Sequence, residues 1–204
     1  MAKTAVGFRV KSGWAAAVVL SGPPSSPSLL HSRGIELSDP AVPESRQPFH
    51  GVDDAQGDLE PDEDRIQKRL EVVRHVAGRS VGKLLADCRT NGWVPHRAGI
   101  VTGSLVDPSA IRSPHIRAHA MEGRLFRTAV EEALRDHELP CLVLGEKTAF
   151  VTASEVIHSS EAILKRTLAN LGRGVKGPWR GDEKLASLAA WVALSGRQPS
   201  PRRR

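Results

Sequence analysis

Tyrosine is absent from this 204-residue chain, and phenylalanine and tryptophan number only four each. Without aromatic bulk, a core has to be assembled from Val, Leu, Ile and Ala. Cysteine is scarce too. Cys88 and Cys141, in the apolar contexts LLADC and LPCLVL, exclude a disulfide framework and a cysteine-based zinc knuckle. They read as small core hydrophobes in a reducing, cytoplasmic compartment. No stretch approaches the roughly 20 apolar residues of a membrane span. A Ser-centred nucleophile elbow, a Walker-type phosphate loop and a dinucleotide glycine fingerprint are all missing, which removes the common hydrolase and nucleotide-binding signatures.

What remains is ordinary globular composition, 40% apolar and 25% charged, with charge unevenly placed. Residues 53–64 hold seven acids and no base, whereas the last forty residues set ten Lys or Arg against Asp182 and Glu183. The net charge of +6 permits an anionic partner such as nucleic acid. A solvated acidic loop with a frayed basic tail accounts for the same asymmetry. Lys3, Arg9 and Lys11 ahead of the apolar run Trp14–Leu20 give the outline of an export signal. The run is too short, no Ala-x-Ala site follows, and Pro23-Pro24 occupy the place of cleavage.

Residues 4–11 alternate with Val6, Phe8 and Val10 on one side, and residues 14–20 form a second apolar run after Ser12-Gly13. Together they predict a β-hairpin. A third strand is expected over 29–37, followed by a mobile, Pro-rich acidic loop near 39–61. Ile66, Leu70, Val73, Ala77, Val81, Leu84 and Cys88 recur at helical steps, opened by Pro61-Asp62-Glu63-Asp64 and closed by Asn91-Gly92. Gly78 and Gly82 inside that helix suggest a close neighbour. A buried strand over 97–103 leads to a second helix over 115–138, with Ile116, Ala120, Gly123, Phe126, Val130 and Leu134 as its stripe. CLVLGE gives a fifth strand. Thr152 to Glu155 has the form of a capping box for a third helix reaching about Leu171. After the linker 172–181, Asp182 is expected to cap a final helix. The chain then reads as one α/β domain over 1–196 with a disordered basic tail over 197–204.

This order, a three-strand meander followed by alternating helices and strands, resembles the ribonuclease-H-like superfamily. VGFRVKSGWAAAVVL is similar to its entry hairpin and GDEKLASLAAWVAL to its acid-headed last helix. The resemblance implies a mixed five-stranded sheet flanked by helices. It also implies carboxylates on the first strand, near the end of the fourth and on the last helix, holding two divalent cations in the nucleases. Here the first-strand position is Arg9 or Val10, and Thr102 or Ser104 ends the fourth strand. Only Asp182 and Glu183 match. A small-molecule kinase of the actin-like branch would need a phosphate turn that Lys11-Ser12-Gly13 does not supply.

The segment RSPHIRAHAMEGRLFR, residues 112–127, carries most of the remaining chemistry. His115, His119 and Glu122 fall at i, i+4 and i+7, on one helix face. They read as a three-ligand face for a divalent metal, as a His/Glu acid–base pair, or as an ordinary helix start with His119 against the sheet and Glu122 in solvent or paired to an Arg. Arg112, Arg117, Arg124 and Arg127 surround that face as an anion site or as a solvated set paired with acids. Trp179 among the cations of 172–184 reads either as a base-stacking platform or as a docked connector. Glu146 and Lys147 end the fifth strand, where they face the same sheet edge or pair with each other. His31, Glu36, His50 and His96 stand at no informative spacing.

The expected activity is therefore that of a noncanonical ribonuclease-H-like protein binding or processing nucleic acid or another phosphate-bearing ligand. Candidate catalytic residues are His115, His119, Glu122, Asp182 and Glu183; Arg9, Arg117, Arg124 and Lys184 would meet the ligand. The alternative is a catalytically inactive protein-interaction module on the same scaffold. The active reading requires these groups to share one hollow.

Overall fold

The computed structural model describes residues 2–51 and 59–197. The centre of the expected acidic loop, residues 52–58, and nearly all of the basic tail lie outside them. Strands β1 (Thr4–Lys11), β2 (Trp14–Ser21) and β3 (Ser28–Glu36) form the meander. Helix α1 (Glu63–Thr90) crosses to β4 (Pro95–Thr102), and α2 (Pro114–Asp136) crosses to β5 (Cys141–Gly145). Helices α3 (Ala149–Ile157), α4 (Glu161–Leu171) and α5 (Gly181–Leu194) complete the order. The sheet runs β3-β2-β1-β4-β5, antiparallel across the meander and parallel from β1 to β5. No helix among the described residues is long and apolar enough to cross a membrane.

Alternation sorts each strand into two cores. Val6, Phe8, Val10, Ala17, Val19 and Ile100 pack with α1 and α2 on one face. Ala5, Ala16, Val18, Leu20 and Val101 pack with α3, α4 and α5 on the other. Gly13, at φ +83°, makes the tight turn between β1 and β2, where L side chains are strained. Asp62 caps α1 by accepting from the backbone N–H of Asp64 and Arg65.

The second core depends on an unusually close contact. A Cβ added at Gly7 would lie 2.0 Å from the Ala186 carbonyl oxygen, and one at Gly99 would lie 2.2 Å from that of Ala189. The α5 backbone therefore rests directly on β1 and β4. Small residues in α5 allow the same approach from the helix side, and every residue from Ala186 to Leu194 is buried.

Several expectations are corrected. The third helix is two, because His158 enters the left-handed region at φ +56° and breaks the run. Thr152 lies inside α3; Ser160 is the residue that caps, receiving the Ile163 N–H. Arg180 rather than Asp182 is the N-cap residue of α5. Gly82 does have a close neighbour, His137, but nothing approaches Gly78. The flanks of the acidic loop are built: residues 43–46 form a 3-10 turn, and Ser45, His50 and Glu60 are buried.

Cys88 and Cys141 are free thiols, as expected of small core residues; burial raises the pKa of both. Gly7→Ala and Gly99→Ala should each cost about 3 kcal/mol or more, since the obstruction is backbone. Gly78→Ala should stabilise by about 0.5–1 kcal/mol through helix propensity alone. Urea denaturation of the three variants checks both statements.

Candidate functional site

Strand alternation places Arg9 on the α5 face of β1, at its C-terminal end, with only 3% of its surface exposed. Its guanidinium donates to the Val10 carbonyl at 2.9 Å and to Glu146 Oε2 at 2.5 Å. Asp182 Oδ1 lies 3.6 Å from Arg9 Nε and 3.7 Å from Lys11 Nζ. Glu146, just past β5, thus pairs with the first strand rather than with Lys147. Where the metal-dependent members of the resembled superfamily set a first-strand acid, this chain sets a permanent cation between two acids. Two divalent ions do not fit a donor set whose centre is a guanidinium.

The other sequence candidates divide. Glu183 is buried at the start of α5, where its carboxylate accepts the Arg180 N–H at 2.7 Å; that is a capping role. Lys184 lies one residue further along α5 and does not reach the cleft described below. Arg117 is tied back by hydrogen bonds to the carbonyls of Ile111 and Arg112, away from that cleft. Trp179 donates Nε1–H to the Leu168 carbonyl at 2.8 Å and covers Gly172, the docking expected of a connector.

His115, His119 and Glu122 do converge. Ser113 caps α2 and Pro114 opens it, which fixes the first turns that carry all three. His115 Nε2 and His119 Nε2 are 3.1 Å apart, and His119 Nδ1 is 3.3 Å from Glu122 Oε2. Glu122 is fully buried, contrary to the solvent-facing alternative. Its other oxygen meets a group that the sequence did not single out, His50 Nδ1, at 2.8 Å.

His50 arrives from the far side of the chain through a clamp on α1. The buried Arg69 donates to the carbonyls of Pro48 and His50 at 3.1 and 2.9 Å, and to Glu60 Oε2 at 2.7 Å. Glu60 N–H donates to the Phe49 carbonyl, and His50 bridges Leu59. A polar residue on the inner stripe of α1, seven places after Asp62, was the available signal.

The two groups flank a cleft of about 670 Å³ at the C-terminal ends of β1 and β4, the edge where open α/β sheets gather ligands. Arg9, Lys11, Thr102, His119, Arg124 and Arg127 are among its lining residues. Arg9, His119 and Arg124 therefore share the hollow, and Asp182 borders it through Arg9 and Lys11; Glu122 is buried behind its wall, and the exposed His115 lies outside the lining. The expected stripe residues Ile116, Ala120 and Gly123 also line it instead of entering the core. The first turns of α2 overshoot the sheet, and Ile116 is 58% exposed. On the opposite rim, Ser109 hydrogen bonds hold the Asp107 carboxyl below its usual pKa, and Arg124 lies 3.9 Å away.

No family model matches the sequence, and no curated protein is significantly similar to it. Among solved structures, RuvC of Thermus thermophilus in complex with a Holliday junction substrate is similar, with a TM-score of 0.53 at 12% identity over 93% of this chain and 91% of that one. A second Thermus thermophilus RuvC structure gives 0.53 at 11% identity, covering 93% and 92%. The fold is ribonuclease-H-like, as the element order implied.

Arg9 is the residue that keeps Glu146 and Asp182 from acting together as metal ligands. In Arg9→Asp, three carboxylates would face one another, and millimolar Mg²⁺ should raise the Tm by several degrees. The Tm of the wild-type chain should not respond. Differential scanning fluorimetry with and without Mg²⁺ distinguishes the two.

Proposed function

We propose that this chain is a noncanonical ribonuclease-H-like protein that holds a phosphate-bearing ligand, nucleic acid foremost, in the cleft at the ends of β1 and β4. One observation carries the reading: Arg9, Lys11, Arg124 and Arg127 line that cleft where metal-dependent nucleases of this fold gather acids. Phosphates displace counterions from such a wall, so affinity is electrostatic and falls with salt. Lys11 and Arg124 pair loosely with Asp182 and Asp107, at 3.7 and 3.9 Å, and can exchange these partners for phosphate. Leu105, Val106 and Ile116, each more than half exposed, add apolar surface of the kind that wedges against bases. The Holliday junction bound by the similar RuvC makes branched DNA a reasonable probe. If the ligand is also processed, His119, backed by Glu122, is the wall residue suited to carry a proton. A cytoplasmic location is supported by the two free cysteines.

The same apolar triplet favours a second reading, a catalytically inactive module that docks a protein through Leu105, Val106 and Ile116. Fluorescence anisotropy with labelled single-stranded, duplex and four-way-junction DNA separates the two. Under the first reading, Lys11→Glu and Arg124→Glu each weaken binding about tenfold at low salt and lower the log–log salt slope by about one. No binding by the wild-type chain at low ionic strength would leave the docking module as the better account.

A further inference from the structure

We propose that His50, His115 and His119 form a site for one divalent cation of the zinc class, separate from the position where metal-dependent members of this fold hold their ions. One ring nitrogen of each histidine lies within 4.8 Å of the others. The His115–His119 separation of 3.1 Å is close to the edge, about 3.3 Å, that a tetrahedron with zinc–imidazole bonds of about 2.0–2.1 Å requires.

A second observation points to a ligand. His50 is 4% exposed, and its Nε2 is buried without a hydrogen-bond partner. Burying a ring nitrogen unpaired is unfavourable unless something else occupies its lone pair. Glu122 explains why that lone pair is available. Its two oxygens engage Nδ1 of His50 and Nδ1 of His119, which places the protons there and leaves both Nε2 atoms as ligands. A carboxylate behind metal-binding imidazoles is the usual means of fixing their tautomer and orientation. Its negative charge, buried in the protein, would also offset the charge of the ion.

The donor set selects the metal. Three neutral imidazoles with no thiolate and no directly offered carboxylate suit zinc, cobalt, nickel or copper, and they exclude a magnesium or calcium preference. His115 and His119 are exposed at the rim, so a fourth position would open to water. His119 also lines the cleft, which would put that water at the cleft's edge. The inference stands whether or not the cleft takes nucleic acid.

The test uses untagged, full-length protein stripped by chelator. Zn²⁺ is titrated calorimetrically and Co²⁺ by visible absorption. The expected result is one ion per chain, with the intense d–d bands of four-coordinate cobalt. His115→Ala and His119→Ala, both at the exposed rim, should keep the wild-type circular dichroism and lose about a hundredfold or more in affinity. Glu122→Gln should lose about 10–100-fold by disturbing ring orientation. His96→Ala, remote from the cluster, should bind as the wild type does. Absence of stoichiometric uptake, a six-coordinate cobalt spectrum, or unchanged affinity in His115→Ala would overturn the site.

Discussion

The architecture turns on the near-contact of the α5 backbone with β1 and β4 across Gly7 and Gly99. Helices ordinarily stand off a sheet by the depth of their side chains. Here two missing Cβ atoms and a run of alanines bring the main chains together. This proximity sets the first turn of α5 directly over the C-terminal end of β1. Asp182 reaches Arg9 because of it. Widening that gap would loosen the second core and, with it, the ion pairs at the mouth of the cleft.

At that mouth, a guanidinium stands where metal-dependent nucleases of this fold set carboxylates. A bound metal exchanges with solvent and responds to its concentration, whereas Arg9 is part of the chain and keeps its charge at any physiological pH. Glu146 and Asp182 are consequently occupied by a resident cation. The neighbouring Lys11, Arg124 and Arg127 line the same cleft, each paired with an acid: Asp182, Asp107 and Glu131.

Much of the fold was legible because local pattern and tertiary environment agree. The β1–β2 hairpin, α1 and the parallel strands all carry their periodicity openly, and Asp62 announces the start of α1. The break between α3 and α4 was not legible: His158 adopts a left-handed conformation with neither Gly nor Pro to mark it. The beginning of α2 misled for another reason. Its stripe continues past the sheet edge, so apolar residues there meet the cleft rather than the core. Within the candidate site, helical spacing found His115, His119 and Glu122, because those three are local to one helix. His50 lies 72 positions from Glu122, and only the Arg69 clamp brings them together. Charge alone did not reveal that the Glu183 carboxylate serves the helix end beside it.

The place of α5 in the chain has a consequence for biosynthesis. It follows every strand, yet it is the principal cover for the sheet face bearing Ala5, Ala16, Val18, Leu20 and Val101. While the ribosome is still delivering residues 181–194, only α3 and α4 are available to cover that face. A nascent chain in this condition is a sticky half-sandwich, the kind of intermediate that chaperones bind and that self-associates when crowded. Closure of the second core waits on α5 to emerge.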